Sequence, residues 1–265
     1  MQLHLVQYDI IWEDKAASHA RADALIDAAA PAPGGLIVLP ELGDTGFSLD
    51  LDAIVDDRSR TWAASLAKRT ACWVQHGWAD RNDAGRGINI AGIFSPSGEL
   101  LCEAHKLHPF SMDREHEVFV GGEALQLAAG VAEAMICPLT CYDLRFPEAF
   151  RLAALAGAEV FTVAASWPAS RAHHWRALAI ARAIENQAIV AAVNRTGTDP
   201  NLSYIGGSLI VSHTGEVLAQ ANDRECVLSA DADLDALGRW RQTFPCLRDA
   251  RSDLQGQLPV HIAER

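Results

Sequence analysis

Lysine is nearly absent from this chain of 265 residues. Of its 22 basic residues only Lys15, Lys68 and Lys106 are lysines, and the rest are arginine. Gene base composition accounts for a general bias of this kind. A lysine kept in such a background still invites a chemical question, because ammonium and guanidinium groups differ in size, hydration and basicity. Long apolar runs are also lacking. None reaches the roughly 18 residues of a membrane span. The start, MQLHLVQYDIIWEDK, has no basic leader region and reads as a strand, not as a signal peptide. There is no CxxC pair and no metal-type cysteine spacing among the six cysteines. Cys72, Cys102, Cys137 and Cys226 fall inside apolar, strand-like segments, where a reduced buried thiol is expected. A reduced, cytoplasmic chain follows. An excess of positive charge is missing as well. The net charge of −12 argues against nucleic acid or an anionic membrane surface as partner.

What is present is an ordinary globular balance, 49% apolar and 21% charged residues. No repeat or linker divides the chain, so one domain over 1–265 is expected, with the least pattern in the tail from about 246. Strands are expected at 3–11, 36–39, 72–78, 88–94, 100–103, 131–139, 159–165, 188–193, 205–211 and 226–230. Helices are expected at 14–30, 58–71, 147–157 and 173–187, the third opened by Pro147. Residues 104–124 read as a long irregular segment, the kind that is usually functional in a compact chain. Strands alternating with helices around a central meander imply a layered α/β architecture.

Three chemically capable residues share one kind of position. Glu41 and Cys141 each end a strand and Lys106 follows one, the places where ligands gather in layered α/β folds. Taken singly they also read as a solvated acid, a surface charge and a structural thiol. LPELGDTGF encloses Glu41 in a turn rich in Gly and Pro. Cys141 stands where a strand meets a helical segment, in CYDLRFPE. A helix N-terminus there is expected to lower the thiol pKa, and the Tyr142 N–H is placed to donate to an oxyanion.

LPELGDTGF, HKLHPF and LTCYDLRFPE, in that order, resemble the three signature segments of the nitrilase superfamily of carbon–nitrogen hydrolases. The spacings of 65 residues from Glu41 to Lys106 and 35 from Lys106 to Cys141 fit the resemblance, which continues through WPASRAHHWRALAIARAIENQAIVAAVNRTG. It implies a four-layer α-β-β-α sandwich and a catalytic set of Glu41 as general base, Lys106 as the cation at the reacting centre and Cys141 as nucleophile. It also implies a second glutamate on the loop after the lysine, Glu115 in first place with Glu117 as the alternative. No metal or organic cofactor is needed by such chemistry, and members commonly pair as homodimers.

CYDLRFPE and WPASRAHHW are most similar to the omega-amidase-like branch, which implies a small-molecule amide substrate such as 2-oxoglutaramate or 2-oxosuccinamate. Arg145 and Arg171 are candidate anchors for its distal carboxylate, although Arg145 has Asp143 and Glu148 close by as ordinary ion-pair partners. Phe47 and Trp167 are candidate pocket walls, or plain core. Leu42, where the family often has an aromatic residue or Met, and Pro109, where Leu is commoner, bear on the pocket more than on the reacting groups. A nitrilase, aliphatic amidase or N-carbamoyl amino acid hydrolase would use the same three groups. A binding protein that had lost catalysis would be expected to lack one of them.

Overall fold

A computed structural model describes residues 1–251 and 253. Residue 252 and residues 254–265, part of the tail set apart above, lie outside the described residues. Two sheets lie face to face. The first begins with β1 (Gln2–Gln7), parallel to β2 (Leu36–Val38), itself parallel to β3 (Trp73–Arg81). The antiparallel neighbours β4 (Gly87–Phe94) and β5 (Leu100–His105) continue it, with the short β6 (Phe119–Val120) against β4. The second sheet contains β7 (Ala128–Val131), β8 (Ala134–Thr140), β9 (Val160–Ala165) and β10 (Ile189–Asn194). After a separate hairpin of β11 (Thr196–Thr198) and β12 (Ser203–Ile205) come β13 (Leu209–Val211) and β14 (Val217–Gln220), and the order across the sheet is β14-β13-β10-β9-β8-β7. Finally β15 (Cys226–Asp231) returns to the first sheet, antiparallel to β1.

Side-chain alternation turns these sheets into layers. Successive residues of a strand face opposite sides. Leu3, Leu5, Leu36 and Val38 point inward and meet Val160, Ala164, Ile189 and Ala191 of the other sheet. Val6, Ile37 and Val74 point outward under α1 (Lys15–Ala29) and α3 (Arg58–Thr70), against Ala22, Ile26 and Leu66. On the far side Phe161, Val163 and Val190 lie under α5 (Pro147–Leu155) and α6 (Ala172–Asn186), against Phe150, Ala179 and Ala183. This is the α-β-β-α sandwich, and its central strands are apolar on both faces because both are covered. The remaining helices are α2 (Leu51–Ile54) and α4 (Glu115–Val118), of four residues each, and α7 (Leu234–Thr243). Between the sheets the Thr162 hydroxyl on β9 donates to Gln75 Oε1 on β3 at 2.5 Å.

Several boundaries differ from those expected. The strand read over 131–139 is a hairpin, β7 and β8, turned at Ala132 and Glu133, which have φ of 46° and 73°. Neither residue is Gly or Asn, so the usual turn signal was missing. The strand read over 205–211 is broken between β12 and β13 by Gly206 and Gly207, at φ 62° and 74°. Gly206 also packs against the Gln7 amide so closely that a Cβ would lie 2.2 Å from its Nε2. The first strand stops at Gln7, and the segment expected to be irregular contains α4 and β6.

Candidate active site

Glu41, Lys106 and Cys141 come together at one end of the sandwich, on the turns that follow β2, β5 and β8. The Glu41 turn is held on several sides. Gly43 donates its N–H to Gly77 O on β3 at 3.1 Å, and the Tyr8 hydroxyl donates to Gly43 O. Gly77 is required there, since a Cβ would stand 2.9 Å from the Leu42 nitrogen. Beneath the turn, Asp44 is clamped between α1 and β3. Its Oδ2 accepts from His19 Nε2 at 2.8 Å and His76 Nε2 at 3.3 Å. Burial works against the Asp44 charge, but these hydrogen bonds outweigh it and hold the carboxyl well below the usual carboxylate range. Among the described residues these three form the one group with metal-ligand geometry. Both imidazoles are engaged with the same Asp44 oxygen, so the group is a structural clamp on the turn.

Glu41 and Lys106 are 1% and 2% exposed, which disposes of the solvated-acid and surface-charge readings. Lys106 Nζ donates to Glu41 Oε1 at 2.7 Å, and to Glu115 Oε2 at 2.8 Å and Oε1 at 3.1 Å. Burial opposes the ammonium charge, yet the two carboxylates more than offset it and hold the Lys106 pKa above its ordinary value. Glu115 is fully buried and also accepts the Phe110 N–H at 2.5 Å. Glu117 is exposed and pairs only with Arg114. The geometry therefore brings Glu115, not Glu117, into the set.

Cys141 begins a 3₁₀ turn, Cys141–Arg145, with φ +44°, a strained value for a residue with a side chain. Thr140 and Asp143 form a capping box that starts this turn. The buried Asp143 carboxylate also accepts the Leu107 and His108 N–H groups at 3.4 and 3.0 Å, which ties the segment after Lys106 to the one after Cys141. The expected lowering of the thiol pKa is corrected. Burial first, and then the charge of Glu41, push the Cys141 thiol well above its ordinary value, with Lys106 opposing them in part. A five-residue 3₁₀ turn supplies little dipole, and the residue, although partly exposed at the pocket floor, has its sulfur enclosed by protein. At neutral pH Cys141 is thus held as a thiol, and Glu41 stands beside it.

The pocket that opens on these groups is lined also by Phe47, Tyr142, Arg145, Trp167 and Arg171. Trp167 is anchored by its own indole N–H, which donates to Arg171 O at 2.8 Å. Arg145 makes no ion pair with Asp143 or Glu148. Its guanidinium lies 4.6 Å from the centre of the Trp167 ring and donates to His174 Nδ1 at 3.3 Å. Arg171 lies 5.3 Å from the centre of the Phe110 ring. Among the described residues neither arginine has a carboxylate partner within salt-bridge distance, and burial together with the charge of Arg171 lowers the Arg145 pKa. Two guanidinium groups without a carboxylate partner among the described residues, in the pocket that Cys141 lines, are able to bind an anion.

Three participants were not anticipated. Asn89 on β4 donates to Glu41 Oε1 at 2.9 Å and to Glu115 Oε1 at 3.3 Å. Ser166 donates its N–H to Glu41 Oε2 at 3.1 Å. Tyr204 lines the pocket with its hydroxyl fixed on Asp199 at 2.5 Å. An asparagine inside the apolar run INIAGIF is the one signal in the sequence that pointed to any of them.

Residues 3–242 match the sequence model of the family described as carbon-nitrogen hydrolase. Over 260 residues the chain is 33% identical to the 2-oxoglutaramate amidase of Bacillus subtilis (strain 168), covering 94% of this chain and 97% of that one. It is 32% identical over 254 residues to omega-amidase YafV of Escherichia coli (strain K12), covering 94% and 96%. The crystal structure of XC1258 from Xanthomonas campestris, a CN-hydrolase superfamily protein, superposes with a TM-score of 0.86 at 29% identity, covering 95% of this chain and 97% of that one. With the fold, the grouped side chains and the family match in agreement, the chain belongs to the carbon–nitrogen hydrolase family.

Proposed function

We propose that this enzyme hydrolyses the terminal amide of a 2-oxo dicarboxylic monoamide, 2-oxoglutaramate or 2-oxosuccinamate, to the 2-oxo dicarboxylate and ammonia. The observation that carries the reading is the composition of the pocket. The thiol with its buried acid–base group adjoins Arg145 and Arg171, two guanidinium groups without carboxylate partners among the described residues. An anionic amide satisfies both sets at once. The names of the Bacillus subtilis and Escherichia coli relatives support the same substrate class.

The reaction proceeds in two halves. Glu41 takes the thiol proton as Cys141 Sγ attacks the amide carbon. Lys106 Nζ and the Tyr142 N–H receive the oxyanion. Losing one such donor typically costs roughly 2.7–4 kcal/mol of barrier. Collapse breaks the C–N bond, the proton on Glu41 goes to the departing nitrogen, and a thioester on Cys141 remains. Water then attacks the thioester and gives its proton to Glu41. The carboxylic acid leaves, and the proton returns to sulfur. Glu115 fixes Lys106 throughout, and Phe47 and Trp167 form the walls. Because Lys106 is held charged by two carboxylates, its part is electrostatic and not that of a base.

We further propose that residues 1–265 form one catalytic domain that works in the cytoplasm as a homodimer. No helix of the described residues is long and apolar enough to cross a membrane. The dimer is expected to pair through α5 and α6, where Leu152, Leu155 and Ile184 are 51%, 37% and 51% exposed.

The experiment is ammonia release from 2-oxoglutaramate, run beside glutamine, propionamide, a nitrile and an N-carbamoyl amino acid. The oxo-amide is expected to be turned over fastest. Preferential turnover of the nitrile or the carbamoyl compound would replace this substrate assignment by the corresponding activity.

A further inference from the structure

Glu41, Glu115 and Lys106 are buried together, and their formal charges do not cancel, since two carboxylates share one ammonium. A buried excess of negative charge persists only where hydrogen-bond donors support it. Asn89 supplies two of them from a single nitrogen. Its Nδ2 reaches Glu41 Oε1 at 2.9 Å and Glu115 Oε1 at 3.3 Å, two of the oxygens that Lys106 also contacts, at 2.7 and 3.1 Å. The same two carboxylates are thus bridged twice, once by a charged donor and once by a neutral one. Asn89 is 2% exposed, and its backbone carbonyl accepts the Lys106 N–H at 2.9 Å, so one residue sets both the lysine backbone and the carboxylates that flank its side chain.

We infer that Asn89 is a positioning residue that keeps both glutamates available as carboxylates, so that Glu41 and not a shared proton faces Cys141. This rests on the reading of Glu41 as the base for Cys141, but not on which amide is the substrate. Removing the amide group leaves the two Oε1 atoms bridged by Lys106 alone, with one backbone N–H on each of the other oxygens, from Ser166 to Glu41 and from Phe110 to Glu115. The cheapest relief is for one to take up a proton and donate it to the other, as carboxylate pairs do. A Glu41 engaged in that way cannot accept the thiol proton. Among the described residues, the charged groups bonded to Asn89 are Glu41 on the turn after β2, Glu115 on α4 and, through its backbone, Lys106 after β5, and Cys141 after β8 faces Glu41 and Lys106. Asn89 does not line the pocket, so substrate binding has no direct need of it.

Two variants test the inference. Asn89→Leu keeps the bulk and removes both donors. Asn89→Asp keeps the shape and replaces the donors by oxygens. Each is compared with the parent by kcat and KM on 2-oxoglutaramate, by the thermal midpoint, and by the pH profile of iodoacetamide alkylation at Cys141, followed on the Cys141 peptide by mass spectrometry. Expected for folded Asn89→Leu is a loss of kcat of roughly 100-fold, within the range of general-base catalysis. KM is expected to stay within about threefold, and the acid limb of the alkylation profile, where Glu41 must lose its proton to serve as base, to move to higher pH. Asn89→Asp is expected to lose at least as much, since it sets a third acid against the two carboxylates. Unchanged kcat in Asn89→Leu, or a fall in kcat with the alkylation profile unmoved, would overturn the inference. The alkylation arm needs no substrate, so it stands if 2-oxoglutaramate is not hydrolysed. If Glu41→Gln leaves Cys141 alkylation unchanged, what fails is the underlying reading of Glu41 as base.

Discussion

Lys106 Nζ and Glu41 Oε1 are 2.7 Å apart, although 65 residues separate them in the chain and neither side chain is more than 1% exposed. A pair so placed is costly to desolvate and destructive to break. Lys106→Met is therefore expected to do more than abolish turnover. It leaves Glu41 and Glu115 buried without a cation, and stability should fall by about 3–5 kcal/mol, measured by urea unfolding. Lys106→Arg keeps the charge but brings a larger, planar group into a fully enclosed site. It is expected to lose most activity and some stability.

The two glutamates of the 107–118 segment should separate cleanly. Glu115→Gln removes an acceptor that Lys106 contacts through two oxygens, and kcat is expected to drop by roughly 100-fold or more. Glu117→Gln breaks only an exposed pair with Arg114, and steady-state kinetics and thermal midpoint should match the parent.

Arg145→Ala and Arg171→Ala test the anion receptor. Each is expected to weaken kcat/KM for 2-oxoglutaramate by roughly 10- to 100-fold, the worth of a charged hydrogen bond. A slowly turned-over neutral amide such as propionamide should be affected far less. Equal losses on both amides would mean that the arginines hold the pocket together and do not read the substrate.

What the sequence conveyed, and what it did not, divides along physical lines. Glu41, Lys106 and Cys141 were legible because each sits at a strand end and in a turn whose Gly, Pro or capping residues mark it locally. The alternation of strands and helices was legible for the same local reason, and the four-layer arrangement came from the family resemblance. The Cys141 pKa was misread, since a helix start is a local inference, whereas enclosure of the sulfur and the charge of Glu41 are tertiary. Ser166 and the pairing of Arg145 with Trp167 and His174 were out of reach because their partners are remote in the chain, and Asn89 was marked only by its polarity inside the apolar run INIAGIF. The β7–β8 hairpin was hidden by a left-handed turn built on Ala132 and Glu133.

The clamp under the Glu41 turn gives stability a pH dependence of known sign. Asp44 has its pKa depressed in the folded chain by His19 and His76. Its contribution is present above the unfolded carboxylate value, about 3.9, and is lost as pH falls below it. Asp44→Asn should flatten the fall in urea midpoint between about pH 5 and pH 3. A parallel fall in parent and variant would place the acid sensitivity elsewhere.

The central claim is that Cys141 carries the acyl group of the amide while ammonia leaves. The most direct measurement is a rapidly quenched reaction with 2-oxoglutaramate, analysed by mass spectrometry of the Cys141 peptide beside ammonia release by the parent and by Cys141→Ala. The account predicts a thioester adduct on Cys141 in the parent, with neither adduct nor ammonia from the variant. Ammonia release that persists in Cys141→Ala would contradict it.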